Sequence, residues 1–293
     1  RTDSKGFYDK YRTEKKILMT GSARLDYYRH SGDSLQGRYH YYRLHPLTVQ
    51  ELGIKTEKDM STLLNLSGFP EPFFSGSKRQ ALRWQREYRS RVVYEDISSL
   101  ELSQNLSQME LLILQLPTLV GSSLSINSLR EDLRLAYKTV AKYLDIFERM
   151  YLIYRIPPFH SHKLRAVKKE QKHYHYNWSE VREEGARIEN LIGSHLLKWV
   201  HFQQDYEGKN KELYYFRDTD KREVDFIVTE DNRPIQAIEC KLKAKDISPH
   251  LRYFKNKFPE TECTQVHLKS KNEYISKEGI KSMGWQRFLK NLI

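Results

Sequence analysis

The stretch Glu223-Val224-Asp225-Phe226-Ile227-Val228, followed by Ala237-Ile238-Glu239-Cys240-Lys241, decides how this chain reads. Both segments have the composition of strands, and side chains alternate along a strand. Glu239 and Lys241 therefore share one face, while Ile238, Cys240 and Leu242 share the other. Between the segments, Glu230-Asp231-Asn232-Arg233-Pro234 supplies the residues of a hairpin turn. Folding over that turn can bring Asp225 opposite Glu239 and Lys241. Two carboxylates and a lysine then meet at the end of an otherwise apolar sheet. Charges placed there are costly to desolvate unless they pair or bind a cation.

Working outward, strands are expected over 212–216, 223–229 and 234–242, with a further one over 264–268. A helix over 183–202 carries Ile188, Leu191, Ile192 and His195 on one side. Two more helices fall near 251–258 and over 284–292. The spacing Asp-x13-Glu-x-Lys is one a hairpin can deliver, and it is the arrangement that PD-(D/E)xK nucleases need. In such a site Asp225 and Glu239 are the metal ligands, holding Mg²⁺ through oxygen. The metal polarises the scissile phosphate and acidifies a water. Lys241 is suited to orient that water, and Glu189, on the preceding helix, could supply another acidic group. The plain alternative is a salt-bridged sheet edge in which Lys241 pairs with Glu239 or Asp225 and no chemistry follows.

Upstream, residues 77–120 read as helices. Leu82, Trp84, Tyr88, Val92 and Ile97 mark one, and 109–116 another, stopped by Pro117. In 122–178, Ser125 is a good helix cap. Val140, Leu144, Phe147 and Met150 lie on the buried face of a helix from Tyr137. Strands over 152–156 and 172–178 follow. Helix, turn, helix and ribbon is the winged helix-turn-helix order. Lys163, Arg165, Lys168, Lys169 and Lys172 lie between those strands, as a basic wing for phosphates or a merely solvated run. Lys138 and Lys142 on the second helix complete the expected DNA-binding set. His160-x-His162 and His173-x-His175 are zinc-like spacings without supporting cysteines or acids, so they read as solvated wing residues.

Composition narrows the classes. The 293 residues carry 50 basic and 38 acidic side chains, a net charge of +12. Residues 1–50, 151–200 and 251–293 hold the excess, while 51–150 sum to zero. A polyanion such as DNA is the partner this charge favours. No run approaches the roughly 20 apolar residues of a membrane span. Cys240 and Cys263 cannot build a disulfide framework, and no signal peptide opens the chain. A cytoplasmic protein is expected. None of the 13 glycines belongs to a Gly-x4-Gly-Lys-Ser/Thr loop, and there is no Gly-x-Ser-x-Gly elbow.

Near the start, Lys15-Lys16-Ile17-Leu18-Met19-Thr20-Gly21-Ser22 reads as a short buried strand entering a turn. With Ala23-Arg24-Leu25, Gly32-Asp33-Ser34-Leu35-Gln36-Gly37-Arg38-Tyr39 and Arg43-Leu44-His45-Pro46-Leu47, it resembles one family. So do Gly68-Phe69-Pro70-Glu71-Pro72-Phe73, Ile188-Glu189-Asn190-Leu191 and Glu223-Val224-Asp225-Phe226. These residues are similar to the prokaryotic AAA-type ATPases that carry a C-terminal domain of unknown function, DUF4143. The resemblance extends over essentially the whole chain.

It implies a mixed α/β protein in four parts: the last portion of a P-loop ATPase core over 1–60, a helical connector over 61–120, a winged helix-turn-helix over 121–178 and a restriction-endonuclease-like domain over 179–293. It also implies that Thr20 and Ser22 end the sensor-one strand facing the γ-phosphate of ATP, and that Arg38 is the arginine finger. Residues equivalent to Walker A and B precede Arg1, so ATP is a cofactor of the complete parent only. The chain reads as a fragment. Asn177 departs from the family's aspartate at that position. DNA is the expected partner, with a protein partner or self-association as the alternative, and the enzyme class stays open between ATPase fragment and metal-dependent nuclease.

Overall fold

A computed structural model describes residues 10, 11, 13–21, 39–98, 105–159, 170–243, 246–267 and 273–292. Four of the described helices start at a side-chain cap. Thr56 Oγ1 accepts from the Asp59 N–H at 3.1 Å and opens α1 (Glu57–Leu66). Pro70 opens α2 (Pro70–Ser75), which Gly76 closes at φ +61°. Ser77 caps α3 (Lys78–Arg91), which runs on as a π-helical segment over Val92–Ile97. After α4 (Leu106–Gln115) the chain tightens at Pro117, because proline cannot donate to a helix interior.

Helices α5 (Ile126–Leu133) and α6 (Tyr137–Arg149) come next. Ser125 Oγ caps the first at 3.2 Å. A two-stranded antiparallel ribbon follows, β1 (Ile153–Ile156) with β2 (Lys172–His175), in register Ile153↔His175 through Ile156↔Lys172. Lys163, Arg165, Lys168 and Lys169, with His160 and His162, lie outside the described residues, as do Ser22 and Arg38.

The third part centres on α7 (Glu184–Asp205) and a six-stranded sheet of order β3-β4-β5-β6-β8-β7. Strands β3 (Lys211–Arg217), β4 (Glu223–Glu230) and β5 (Arg233–Lys241) form an antiparallel meander. Asp231 and Asn232, at φ +50° and +64°, make the tight hairpin turn, which is why two residues with short polar side chains occupy it. Helix α8 (Pro249–Lys257) crosses to β6 (Glu262–His267), which runs parallel to β5, and β7 (Tyr274–Ile275), β8 (Lys281–Gly284) and α9 (Trp285–Lys290) finish the fold.

The sheet is covered on both faces. Phe226, Val228, Ile238 and Val266 pack with Leu191, Ile192 and Leu196 of α7, and Met60, Leu63, Trp178 and Trp285 join the same core. On the other side Ile227, Ala237 and Cys263 pack with Leu251 and Phe254 of α8. A separate helical core joins Leu112, Leu129, Val140, Leu144 and Phe147.

Three expectations are corrected. Residues 15–21 form no strand, and Leu18 is 86% exposed. No strand among the described residues pairs with this stretch, so its apolar side chains have no face to cover. Lys172 is not a solvated wing residue but completely buried, and His173 and His175 are buried beside it. The ribbon packs against α7 and the helical core, which turns all of β2 inward.

Candidate functional site: a lysine-centred acid cluster

The pairing of β4 with β5 ends at Phe226↔Ile238. One residue further on, the Asp225 side chain takes over from the backbone. Its Oδ2 accepts the Cys240 N–H at 2.8 Å. A carboxylate thus occupies the place of a ladder carbonyl, pinned at the sheet end. Glu239 follows on β5 and is 3% exposed, and its Oε1 receives Lys241 Nζ at 2.6 Å. Ser248, just before α8, adds a long hydroxyl contact to the same oxygen at 3.4 Å. Glu189 reaches in from the first half of α7, where Tyr174 donates its hydroxyl at 2.7 Å.

The residue that organises these acids is Lys172, from the ribbon. Its ammonium lies 2.7 Å from Glu223, 3.2 Å from Asp225 and 3.4 Å from Glu189. Its stem stands near the Tyr215 ring, with Nζ 5.7 Å from the centroid. Burial works against its charge, but Asp225, Glu189 and Glu223 outweigh it and hold the lysine well above its ordinary range.

The acids carry the opposite strain. Burial, followed by the Asp225 charge, pushes Glu239 up to about 8. The same two causes push Glu189 up to about 7, against the pull of Lys172. Lys241 is raised too, since Glu239 and Asp225 overcome its partial burial. A cavity of about 350 Å³ opens beside the cluster, lined by Gly121, Glu183, Glu189, Lys241 and His267 among others. Gly121 has φ +85°, and a Cβ there would lie 3.1 Å from Glu189 Oε2. Backbone freedom and close approach both call for glycine at that point.

Asp225, Glu239, Lys241 and Glu189 are therefore brought together at one end of the sheet. Thr20, by contrast, lies exposed in the irregular N-terminal stretch, and Lys138 and Lys142 are exposed on α6. Sequence reasoning missed Lys172, Glu223, Tyr174 and His267. The signal for Lys172 is its place in Lys172-His173-Tyr174-His175, a strand of otherwise aromatic and imidazole side chains. His173 bonds the Leu116 carbonyl at 2.9 Å, and burial pulls it down to about 4. Asn177, where the resemblance expects an aspartate, accepts from the Ser179 hydroxyl at 2.6 Å.

Whether these residues fit a magnesium ion can be judged from the donors. Asp225 spends one oxygen on Lys172 and the other on Cys240. Glu189 Oε1 serves both Lys172 and Tyr174. Among the described residues no three His, Cys, Asp or Glu side chains converge on a point that could hold a metal ion. A six-oxygen magnesium shell does not match this arrangement, because the Lys172 ammonium already takes up oxygens of Asp225 and Glu189.

Residues 57–179 match a family described as a domain of unknown function (DUF8612), and residues 184–288 match a second, domain of unknown function (DUF4143). The expected DUF4143 domain is thus present, over the α7-to-α9 unit. No curated protein matches the chain. One solved structure aligns, the refined half-complex from a tetradecameric assembly of Thermococcus gammatolerans McrB AAA+ hexamers with bound McrC. That likeness has 11% identity and a TM-score of 0.26, over 55% of this chain and 34% of that one. The alignment spans about a third of the matched chain, and at that score it informs neither fold nor function. Among the described residues no helix is long and apolar enough to cross a membrane.

Proposed function

We propose that this chain is a nucleic-acid-binding portion of an ATPase-associated protein, and that its DUF4143 domain is built like a PD-(D/E)xK nuclease but is held non-catalytic by Lys172. The ATPase association rests on the residues over 17–47 that resemble the AAA-type core. Binding to DNA rests on the net charge of +12 and on exposed Lys138 and Lys142 at the start of α6, the second helix of the helix-turn-helix order expected from the sequence. The observation that carries the non-catalytic reading is the fully buried ammonium shared by Glu189, Glu223 and Asp225.

A second reading, metal-dependent phosphodiester cleavage, is favoured by one detail. Glu239 Oε2 is buried with no hydrogen-bond partner among the described residues, and its neighbour Lys241 lines the cavity. One experiment separates the two. Plasmid and single-stranded DNA are incubated with the chain at low salt, with Mg²⁺ or Mn²⁺, beside Lys241→Ala. Salt-sensitive binding without cleavage is the expected result. Metal-dependent cleavage that disappears in Lys241→Ala would establish the nuclease instead.

A further inference from the structure

Helix α3 has the sequence Lys78-Arg79-Gln80-Ala81-Leu82-Arg83-Trp84-Gln85-Arg86-Glu87-Tyr88-Arg89-Ser90-Arg91. Its two sides are chemically unlike. Ala81, Trp84 and Gln85 are buried. Trp84 Nε1 donates to Glu71 at 2.8 Å and stacks on Tyr88 with centroids 4.9 Å apart, and Gln85 donates to Ser179 at 2.6 Å. The helix is thereby fixed to the body from one side. On the other side Arg79, Arg83 and Arg86 follow one another at helical spacings of four and three, all exposed. Arg83 pairs with Glu87, at side-chain exposures of 81% and 51%. Arg79 and Arg86 have no ion pair among the described residues.

We infer that this arginine row is a second nucleic-acid contact, which holds the sugar-phosphate backbone of a duplex and reads no bases. The inference rests on the DNA-binding reading above and adds a surface outside the helix-turn-helix. At 1.5 Å of rise per residue, Arg79 and Arg86 stand about 10.5 Å apart along the helix. One DNA strand offers a phosphate about every 3.4 Å of axis, so the row spans roughly three phosphates. Planar guanidinium groups suit phosphate oxygens. A protein partner fits less well, because the anchors of such an interface, arginine included, sit in a well-packed desolvated centre, which a row of exposed charges does not offer. Here Trp84 and Tyr88 face inward, leaving Leu82 as the large apolar side chain beside the row.

The test uses the whole chain and a 20-bp duplex, with binding followed by fluorescence anisotropy between 50 and 200 mM NaCl. Replacing Arg79, Arg83 and Arg86 together by alanine keeps helix propensity high. It should make the slope of log K against log salt shallower by about 2 to 3, at about 0.9 per phosphate contact. Replacing the three by lysine should leave the slope in place. If the unaltered chain does not bind the duplex, the DNA-binding reading fails and this inference with it. If it binds and the alanine variant keeps the same affinity and slope, the inference alone is overturned. Competition by poly-glutamate as strong as that by duplex, charge for charge, would likewise overturn it.

Discussion

Lys172 and Lys241 serve one acid cluster from opposite ends and under opposite conditions. Lys172 is sealed in, with three carboxylates within 3.4 Å. Lys241 is 46% exposed in its side chain and holds Glu239 alone. The contrast teaches that charge count is a poor guide to what a lysine contributes. Removing Lys172 leaves three carboxylates without their shared cation, whereas Glu239, raised to about 8, can keep a proton when Lys241 is gone.

The hardest blow to that contrast is Lys172→Met. The methionine approximates the stem and strands Glu189, Glu223 and Asp225. A loss of about 3–5 kcal/mol is expected from urea unfolding; a loss no greater than that of Lys241→Ala would break the comparison.

Next in size is Gly193→Ala on α7. A Cβ at 193 would lie 2.8 Å from the Phe226 ring and from the Tyr154 hydroxyl. This contact sets how closely the helix bearing Glu189 approaches the strand bearing Asp225. Overpacking should cost about 1–3 kcal/mol in the same measurement.

The dependence on pH sharpens the picture without a mutation. His45, His173, His195 and His201 are lowered to about 2, 4, 4 and 3, mainly by burial, and His175 is lowered as well. They remain neutral in the fold while the unfolded chain takes up protons below about 6.5, so stability falls as pH drops below that value. Glu180, Glu189 and Glu239 are raised, also mainly by burial, to about 7, 7 and 8. Folded, they keep protons that the unfolded chain releases above about 4.5, so these three weaken the fold as pH rises toward 8. Between about 4.5 and 6.5 the five imidazoles outnumber the three carboxyls. The urea midpoint should therefore peak near pH 6.5 and decline toward pH 8. In Glu239→Gln the alkaline decline should flatten; an unchanged decline would remove Glu239 from the account.

The smallest effect is expected for Lys241→Ala, about 1 kcal/mol or less, because the lysine is half exposed and Glu239, raised to about 8, takes a proton instead of standing as a bare buried charge.

Much of this arrangement is legible in the residues themselves. Asp225, Glu239 and Lys241 declare themselves because strand alternation is a strict period and a charged residue in an apolar strand must answer for its desolvation. Glu189 follows from its place on the adjoining helix. Lys172 is hidden because four other basic residues precede it, and a run of positive charge reads as solvated when nothing local says that the ribbon turns inward. That is a matter of packing between elements far apart in sequence, with Lys172 and Asp225 separated by 53 positions. The arginine row of α3 is hidden by averaging, since residues 51–150 sum to zero charge. The 15–21 stretch misleads in the other direction: apolar residues in sequence find a core only where a partner face exists.

One consequence concerns how this protein can be cut or recombined. The two family matches meet between residues 179 and 184, which looks like a natural seam for exchanging modules. Yet Lys172 and Tyr174, before the seam, supply the cation and a hydroxyl to Glu189, beyond it. A graft that took the DUF4143 segment alone would carry Glu189, Glu223 and Asp225 away without the ammonium they share. The heritable unit, in chemical terms, begins at the ribbon.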